Sequence, residues 1–195
     1  KEDGVFIINL FSFNDGSIEA MEDALTEFVE SKSKNLILDL RNNPGGYLSA
    51  AIDISSWFLE EGKVVVEEEG KLEKYNKTYR SGRHFLAGDY NMVVLVDGGS
   101  ASASEIVAGA LQEHGKAKLV GTKTFGKGSV QELVPMQNGT SLKVTVAKWL
   151  TPGGVSISEN GLTPDIEVEF DSEEYAETGK DNQLEKAIEV IKEKN

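Results

Sequence analysis

The segment Gly99-Ser100-Ala101-Ser102-Ala103-Ser104-Glu105 sets a serine among small residues, after the apolar run 92–96 and its breaker Asp97-Gly98-Gly99, where a helical pattern begins. Open α/β sheets place their ligands at such strand ends. Small neighbours let a substrate backbone come close, and the positive end of the following helix favours the oxyanion that develops in acyl transfer. The same letters have a plainer use. Ser102-Ala103-Ser104-Glu105 fits the S-x-x-E capping box, in which a serine merely starts a helix, and Ser100 or Ser104 could cap equally well.

A serine hydroxyl needs a base to become a nucleophile. His114 falls about three turns along the helix after Ser102, and His84 sits in a polar stretch, so both read as surface residues. Lysine serves when burial disfavours its charged form. Lys127 stands out because Gly126 and Gly128 flank it within Gly121-Thr122-Lys123-Thr124-Phe125-Gly126-Lys127-Gly128-Ser129, and glycines permit close approach to another chain segment. Gln131 follows at i+4, the same face if the segment is a strand, where its amide could orient the amine. A solvated lysine in a turn before a strand fits equally.

Residues 121–127 also satisfy G-x-x-x-x-G-K, the signature of a phosphate-binding loop. Two features argue against that use: Gly128 stands where a Ser or Thr hydroxyl should meet Mg²⁺, and residues 129–134 have the pattern of a strand, where a phosphate loop opens a helix.

The elements that must hold these residues alternate. Residues 5–10 read as a buried strand, 17–29 as a helix with Ser17 as N-cap, 35–40 as a second strand, and 48–59 as a second helix after the turn Arg41-Asn42-Asn43-Pro44-Gly45-Gly46. Residues 64–66 and the polar stretch 67–89 predict short strands or a hairpin, 92–96 a third buried strand, and 100–113 a helix. This order predicts an α/β fold, a mostly parallel sheet covered by helices. From Lys118 the character turns to β, with strands at 119–120, 130–134 and 141–147 and a turn at Asn138-Gly139; residues 171–181 read as an acidic exposed connection and 183–191 as an amphipathic helix.

At 195 residues the chain can bury one substantial core, so a single domain spanning residues 1–195 is expected. Thirty-three acidic against 20 basic residues give a net charge of -13, which repels a phosphate backbone and argues against nucleic acid as a partner. The absence of cysteine removes disulfides, a thiolate nucleophile and Cys-ligated metal from consideration. No apolar run reaches membrane-spanning length, and residues 1–4 do not read as a signal peptide.

Four segments together resemble the C-terminal processing peptidases, also called tail-specific proteases: Asp39-Leu40-Arg41-Asn42-Asn43-Pro44-Gly45-Gly46, Gly99-Ser100-Ala101-Ser102-Ala103-Ser104-Glu105-Ile106, residues 121–131, and Gly161-Leu162-Thr163-Pro164-Asp165-Ile166. They occur in that family's order across nearly the whole chain. The resemblance implies a core of the crotonase and Clp protease type with an added β-rich part. It implies Ser102 as nucleophile, Lys127 as general base and Gln131 as the residue that positions the lysine. It further implies an oxyanion hole made by the N–H of Ala103 and one from the turn at residues 43–46, Gly45 first and Gly46 second. No metal or cofactor is called for. The implied substrates are proteins or peptides with accessible C-termini, and the implied setting is extracytoplasmic, in the cell envelope or periplasm. Members usually carry a PDZ domain that binds substrate tails by strand addition; this chain opens at the core, so a PDZ domain or regulatory segment is expected outside it. A second reading is a catalytically silent ligand-binding module, or a partner-activated core, of the same fold.

Overall fold

Residues 36–38 and 92–96 are apolar at every position because both faces of their sheet are covered. The computed structural model describes residues 4–158 and 160–193. In chain order the elements are β1 (Phe6–Asn9), α1 (Asp15–Glu30), β2 (Asn35–Asp39), α2 (Leu48–Phe58), β3 (Val64–Gly70), β4 (Lys77–Arg80), β5 (Asn91–Val96), α3 (Ala103–Glu113), β6 (Lys118–Gly121), β7 (Ser129–Pro135), β8 (Ser141–Leu150), β9 (Ile166–Glu167), α4 (Ser172–Thr178) and α5 (Asn182–Lys192). Five strands form one sheet in the order β1-β2-β5-β6-β9, each neighbouring pair parallel. The other four form a sheet in the order β4-β3-β8-β7, with antiparallel neighbours.

Side chains of a strand alternate between faces. Leu36, Leu38, Met92 and Val94 point into the larger core, with Met21, Leu25 and Phe28 of α1, Ile54 and Phe58 of α2, and Ile106, Val107 and Leu111 of α3. Ile37, Val93, Leu95 and Val120 point the other way and meet Ala187, Val190 and Ile191 of α5. Because the strand order runs in one direction, right-handed crossovers deliver α1, α2 and α3 to the same face. All five strands therefore end on one edge, and the loops leaving β2, β5 and β6 lie side by side there.

Four local expectations change. Ser17 does not cap α1: Asn14 does, its Oδ1 accepting from Ser17 N–H at 3.0 Å while Ser17 Oγ accepts from Asn14 N–H at 3.0 Å. The reciprocal pair begins the helix three residues earlier than Ser17 alone would. The helix expected from residue 100 begins at Ala103, because residues 97–102 fold into a turn closed by Asp97. Strand β6, grouped with the β-rich part by its character, joins the parallel sheet beside β5. The acidic connection at 171–181 contains helix α4, capped by Asp171 Oδ1, which accepts from the N–H groups of Glu173 and Glu174, and ended by Gly179 in a left-handed conformation.

Candidate active site

Two loops at the carboxyl ends of β2 and β5 are laced together by buried hydrogen bonds. Leu40 N–H donates to Leu95 O at 2.9 Å, Ser100 Oγ donates to Leu40 O at 2.8 Å, and Ser104 Oγ donates to Asn43 O at 2.9 Å. Ala101 N–H donates to the same Asn43 carbonyl at 3.0 Å. Asp97 Oδ1 accepts from Asn42 N–H at 2.8 Å as well as from Gly99 and Ser100 within its own turn. Serines that a composition count would call polar surface are therefore structural here, with Ser100 and Ser104 fully buried.

Ser102 differs from both. It is only partly buried and has φ +56° and ψ -113°, a region a non-glycine residue rarely occupies. A residue that only caps a helix has extended dihedrals, as Asn14 has with φ -140°. Ser102 does share in a capping box, since its N–H donates to Glu105 Oε2 at 2.9 Å. Capping does not require the strained backbone, and strain of this kind gathers at functional sites.

The turn after β2 presses on Ser102. Gly45 has φ +94°, and a Cβ added there would stand 2.5 Å from Ala101 O, 2.8 Å from Ala103 N and 2.8 Å from Ser102 Cβ. A Cβ on Gly46, at φ +149°, would collide with the Phe13 carbonyl. Only glycine lets this turn lie against the serine. Gly45 N–H donates to Asn43 Oδ1 at 2.9 Å, whereas the N–H groups of Gly46 and Ala103 have no acceptor among the described residues. Two backbone donors, one on each loop, are thus without an acceptor among the described residues, Ala103 N–H next to the serine and Gly46 N–H one residue beyond the glycine that packs on it.

The loop carrying Lys127 is held by the same helix. Glu105 is fully buried, and its carboxylate accepts four hydrogen bonds: Ser102 N–H and Lys127 N–H on Oε2, each at 2.9 Å, and Gly126 N–H at 2.7 Å and Thr124 Oγ1 at 2.6 Å on Oε1. Thr124 Oγ1 in turn accepts from Leu162 N–H at 2.7 Å. Three of the four sequence segments meet at this carboxylate. It also accounts for the phosphate-loop pattern: the N–H groups of Gly126 and Lys127 already face an internal anion, and a strand follows from Ser129.

The structure brings the backbones of Ser102, Ala103, Gly45 and Lys127 together. It does not join the side chains of Ser102 and Lys127, between which there is no hydrogen bond, and both Lys127 and Gln131 are exposed. Lys127 lies two residues before β7, so the strand alternation that paired it with Gln131 starts only after it. His114 Nε2 lies 2.7 Å from Val64 O, and His84 stacks 5.1 Å from the Trp57 ring, both away from Ser102.

Sequence reasoning read Glu105 only as half of a cap and missed that it grips a second loop. One signal was there: Glu105 is the sole charged residue between Asp97 and Glu113, in a helix otherwise small and apolar. Arg41, in the first of the four segments, ion-pairs with Asp39 at 2.7 Å and with Asp181 at 2.8 Å and so ties the β2 end to the start of α5. Burial works against its charge, but the two aspartates outweigh that and hold the guanidinium above its ordinary value. Among the described residues no cluster of three or more His, Cys, Asp or Glu could hold a metal ion.

Comparison with known proteins gives a consistent answer. The chain is 43% identical over 150 residues to the carboxy-terminal-processing protease of Bartonella bacilliformis, covering 77% of this chain and 34% of that protein. It is 43% identical over 167 residues to a Staphylococcus aureus protein named "Probable CtpA-like serine protease", covering 85% of this chain and 33% of that one. Among solved structures, the photosystem II D1 C-terminal processing protease superposes with a TM-score of 0.78 at 33% identity, over 84% of this chain and 42% of that one. The chain thus spans about a third of the length of the curated relatives it matches. With the peptidase family S41 model matching residues 4–168, the chain belongs to that family of serine-type peptidases.

Proposed function

We propose that this chain is the core of a serine endopeptidase that cleaves protein substrates near their C-termini, with Ser102 as nucleophile and Lys127 as general base. The observation that carries the reading is the strained Ser102, at φ +56°, with the Lys127 backbone held beside it by one shared carboxylate oxygen. Ser102 Oγ attacks the peptide carbonyl as its proton passes to the Lys127 amine. The negative charge that forms on the carbonyl oxygen is met by Ala103 N–H and by a glycine N–H of the facing turn. Gly46 N–H has no acceptor among the described residues; Gly45 N–H, the one packed against Ser102, serves if it leaves or shares Asn43 Oδ1. The ammonium then protonates the departing amine, the C–N bond breaks, and a water deprotonated by Lys127 hydrolyses the acyl-enzyme. Gln131 positions the amine once the lysine side chain turns inward.

A specific observation favours a second element of this reading. The exposed Lys127 and Gln131 side chains describe an open arrangement, so closure by bound substrate or by a partner segment such as a PDZ domain completes the site. The family likeness supports an extracytoplasmic setting for this activity.

The test is cleavage of an unfolded protein and of peptides with apolar C-termini by the chain, by Ser102→Ala and by Lys127→Ala, from about pH 6 to 10, with products read by mass spectrometry. Loss of cleavage in both variants is expected. Undiminished cleavage by either variant sinks the Ser/Lys assignment.

A further inference from the structure

We infer that Glu105 is a positioning residue for the base, a buried staple that fixes where Lys127 can reach. The inference rests on the Ser102/Lys127 reading. A capping-box glutamate needs one bond, to the N–H of the residue that caps the helix. Glu105 makes that bond and three more, all to a loop that begins 19 residues further along the chain and reaches it across the fold. A single oxygen, Oε2, holds the N–H of Ser102 and the N–H of Lys127, so the two nitrogens are no further apart than twice 2.9 Å. The four-carbon lysine stem spans such a gap. The other oxygen fixes Gly126 and Thr124, the residues that lead the chain into Lys127.

The chemistry of the donors requires a carboxylate in particular. Three are backbone N–H groups, which only donate, and the Thr124 hydroxyl accepts from Leu162 N–H, so its own proton goes to Glu105. A carboxamide of the same shape offers one acceptor oxygen and an NH₂ that confronts two donors. In Glu105→Gln either Ser102 and Lys127 lose their common acceptor, or Gly126 N–H loses its own and the Thr124 hydroxyl must turn to accept from the NH₂. An unpartnered donor buried at this depth is costly, so the loop moves away instead.

The test compares the parent chain with Glu105→Gln, Lys127→Ala and the double variant. Turnover of a peptide gives kcat and KM. Labelling of Ser102 by an alkyl fluorophosphonate, which forms the Oγ–P bond with loss of fluoride and is followed by mass spectrometry over hours, extends the comparison to slow variants. Circular dichroism and thermal melting report folding. Displacing the base by an ångström costs about 100-fold, so Glu105→Gln is expected to lower kcat and the labelling rate by about that factor with KM changed less than about threefold. Added to Lys127→Ala, it is expected to lower the labelling rate by no more than about threefold, because there is no base left to misplace. A loss of about tenfold or more in the Lys127→Ala background, or a Glu105→Gln kcat within about threefold of the parent, overturns the inference. If Glu105→Gln does not fold, Thr124→Val makes the same comparison with one donor removed: a loss of about tenfold in the parent that vanishes in Lys127→Ala supports the staple, and an equal loss in both backgrounds overturns it. Labelling of Lys127→Ala at the parental rate would instead sink the Ser/Lys reading, whatever Glu105→Gln does.

Discussion

The two sheets treat their side chains in opposite ways. In the parallel sheet, β2 and β5 are apolar on both faces, and Leu36, Ile37, Leu38 and residues 92–96 have no exposure. In the antiparallel sheet, the hairpin of β7 and β8 leaves Leu133, Val134, Met136 and Leu142 in solvent. The proposed nucleophile, Ser102, follows a strand of the first sheet, and the residues proposed to serve it as base and orienter lie at the start of the second. One half of the site is therefore set by a rigid core, while the other half is held by backbone at Lys127 and open at the side chains. On the proposed Ser/Lys reading, the difference locates the adjustable part of the machinery: Ser102 is fixed before substrate arrives, and what must still move is the Lys127 stem.

The most severe way to break the comparison is to disturb the rigid half. Gly45→Ala introduces a Cβ 2.5 Å from Ala101 O and 2.8 Å from Ala103 N at a φ of +94°. Neither contact is to a flexible side-chain end, so one of the two loops must shift. A shift of about an ångström there is expected to lower kcat by about 100-fold or more. The measurement is turnover of the peptide substrate beside a melting curve. A folded variant with parental kcat would show that the turn and the serine are not held as tightly as their contacts require.

Next in size is a paired substitution of the same residue type in the two sheets. Leu38→Ala removes a fully buried side chain from the parallel sheet and is expected to cost about 3 kcal/mol in urea denaturation. Leu133→Ala, with Leu133 at 64% exposure, is expected to stay within about 0.5 kcal/mol of the parent. A cost above about 1 kcal/mol at Leu133 would mean that the hairpin packs on something, and the contrast between the sheets would fail.

What was legible in the sequence follows the same division. Strands β2 and β5 announce themselves because burial on both faces forces unbroken apolar runs between polar turns; the edge strand β1, half-buried, carries a shorter run of the same kind, and the helices between them follow from spacing. Ser102 and Lys127 were legible as types in suggestive settings, and the ordered segments sharpened them. Less legible were features made by contact between distant parts of the chain. Strand β9 is two residues long and exists because β6 offers it an edge. Strand β6 looked like part of the β-rich region, yet its place is decided by pairing with β5, which no local pattern records. Asn14 displaced Ser17 as cap because the two bond reciprocally, and each letter alone fits the position. The four donors of Glu105 come from two loops, so the capping box was visible and the staple was not.

The smallest effect concerns the packed end of the antiparallel sheet, where β4, β3 and β8 lie side by side. Tyr79, on β4, donates its hydroxyl to Glu68 on β3 at 2.8 Å and packs with its ring 6.1 Å from Trp149 on β8. Burial, then the hydrogen bond to Glu68 and its negative charge, push the phenol up to about 12. In the unfolded chain it titrates near its ordinary value of about 10. The folded state therefore holds this proton more tightly than the unfolded state, and the stabilisation is complete below about pH 10 and lost as pH rises toward about 12. Tyr79→Phe deletes the hydroxyl, leaves Glu68 short of a donor and is expected to cost about 1 kcal/mol at neutral pH. Tyr90 and the other tyrosines are common to both proteins, so their titration cancels in the difference. The gap in stability between parent and variant is then expected to hold from pH 7 to about 10 and to narrow above it, read by urea denaturation at a series of pH values. A gap that stays constant beyond pH 11 would show that the Tyr79 hydroxyl is no better shielded than one on the open hairpin, and this end of the antiparallel sheet would belong with the exposed half of the molecule instead of with its core.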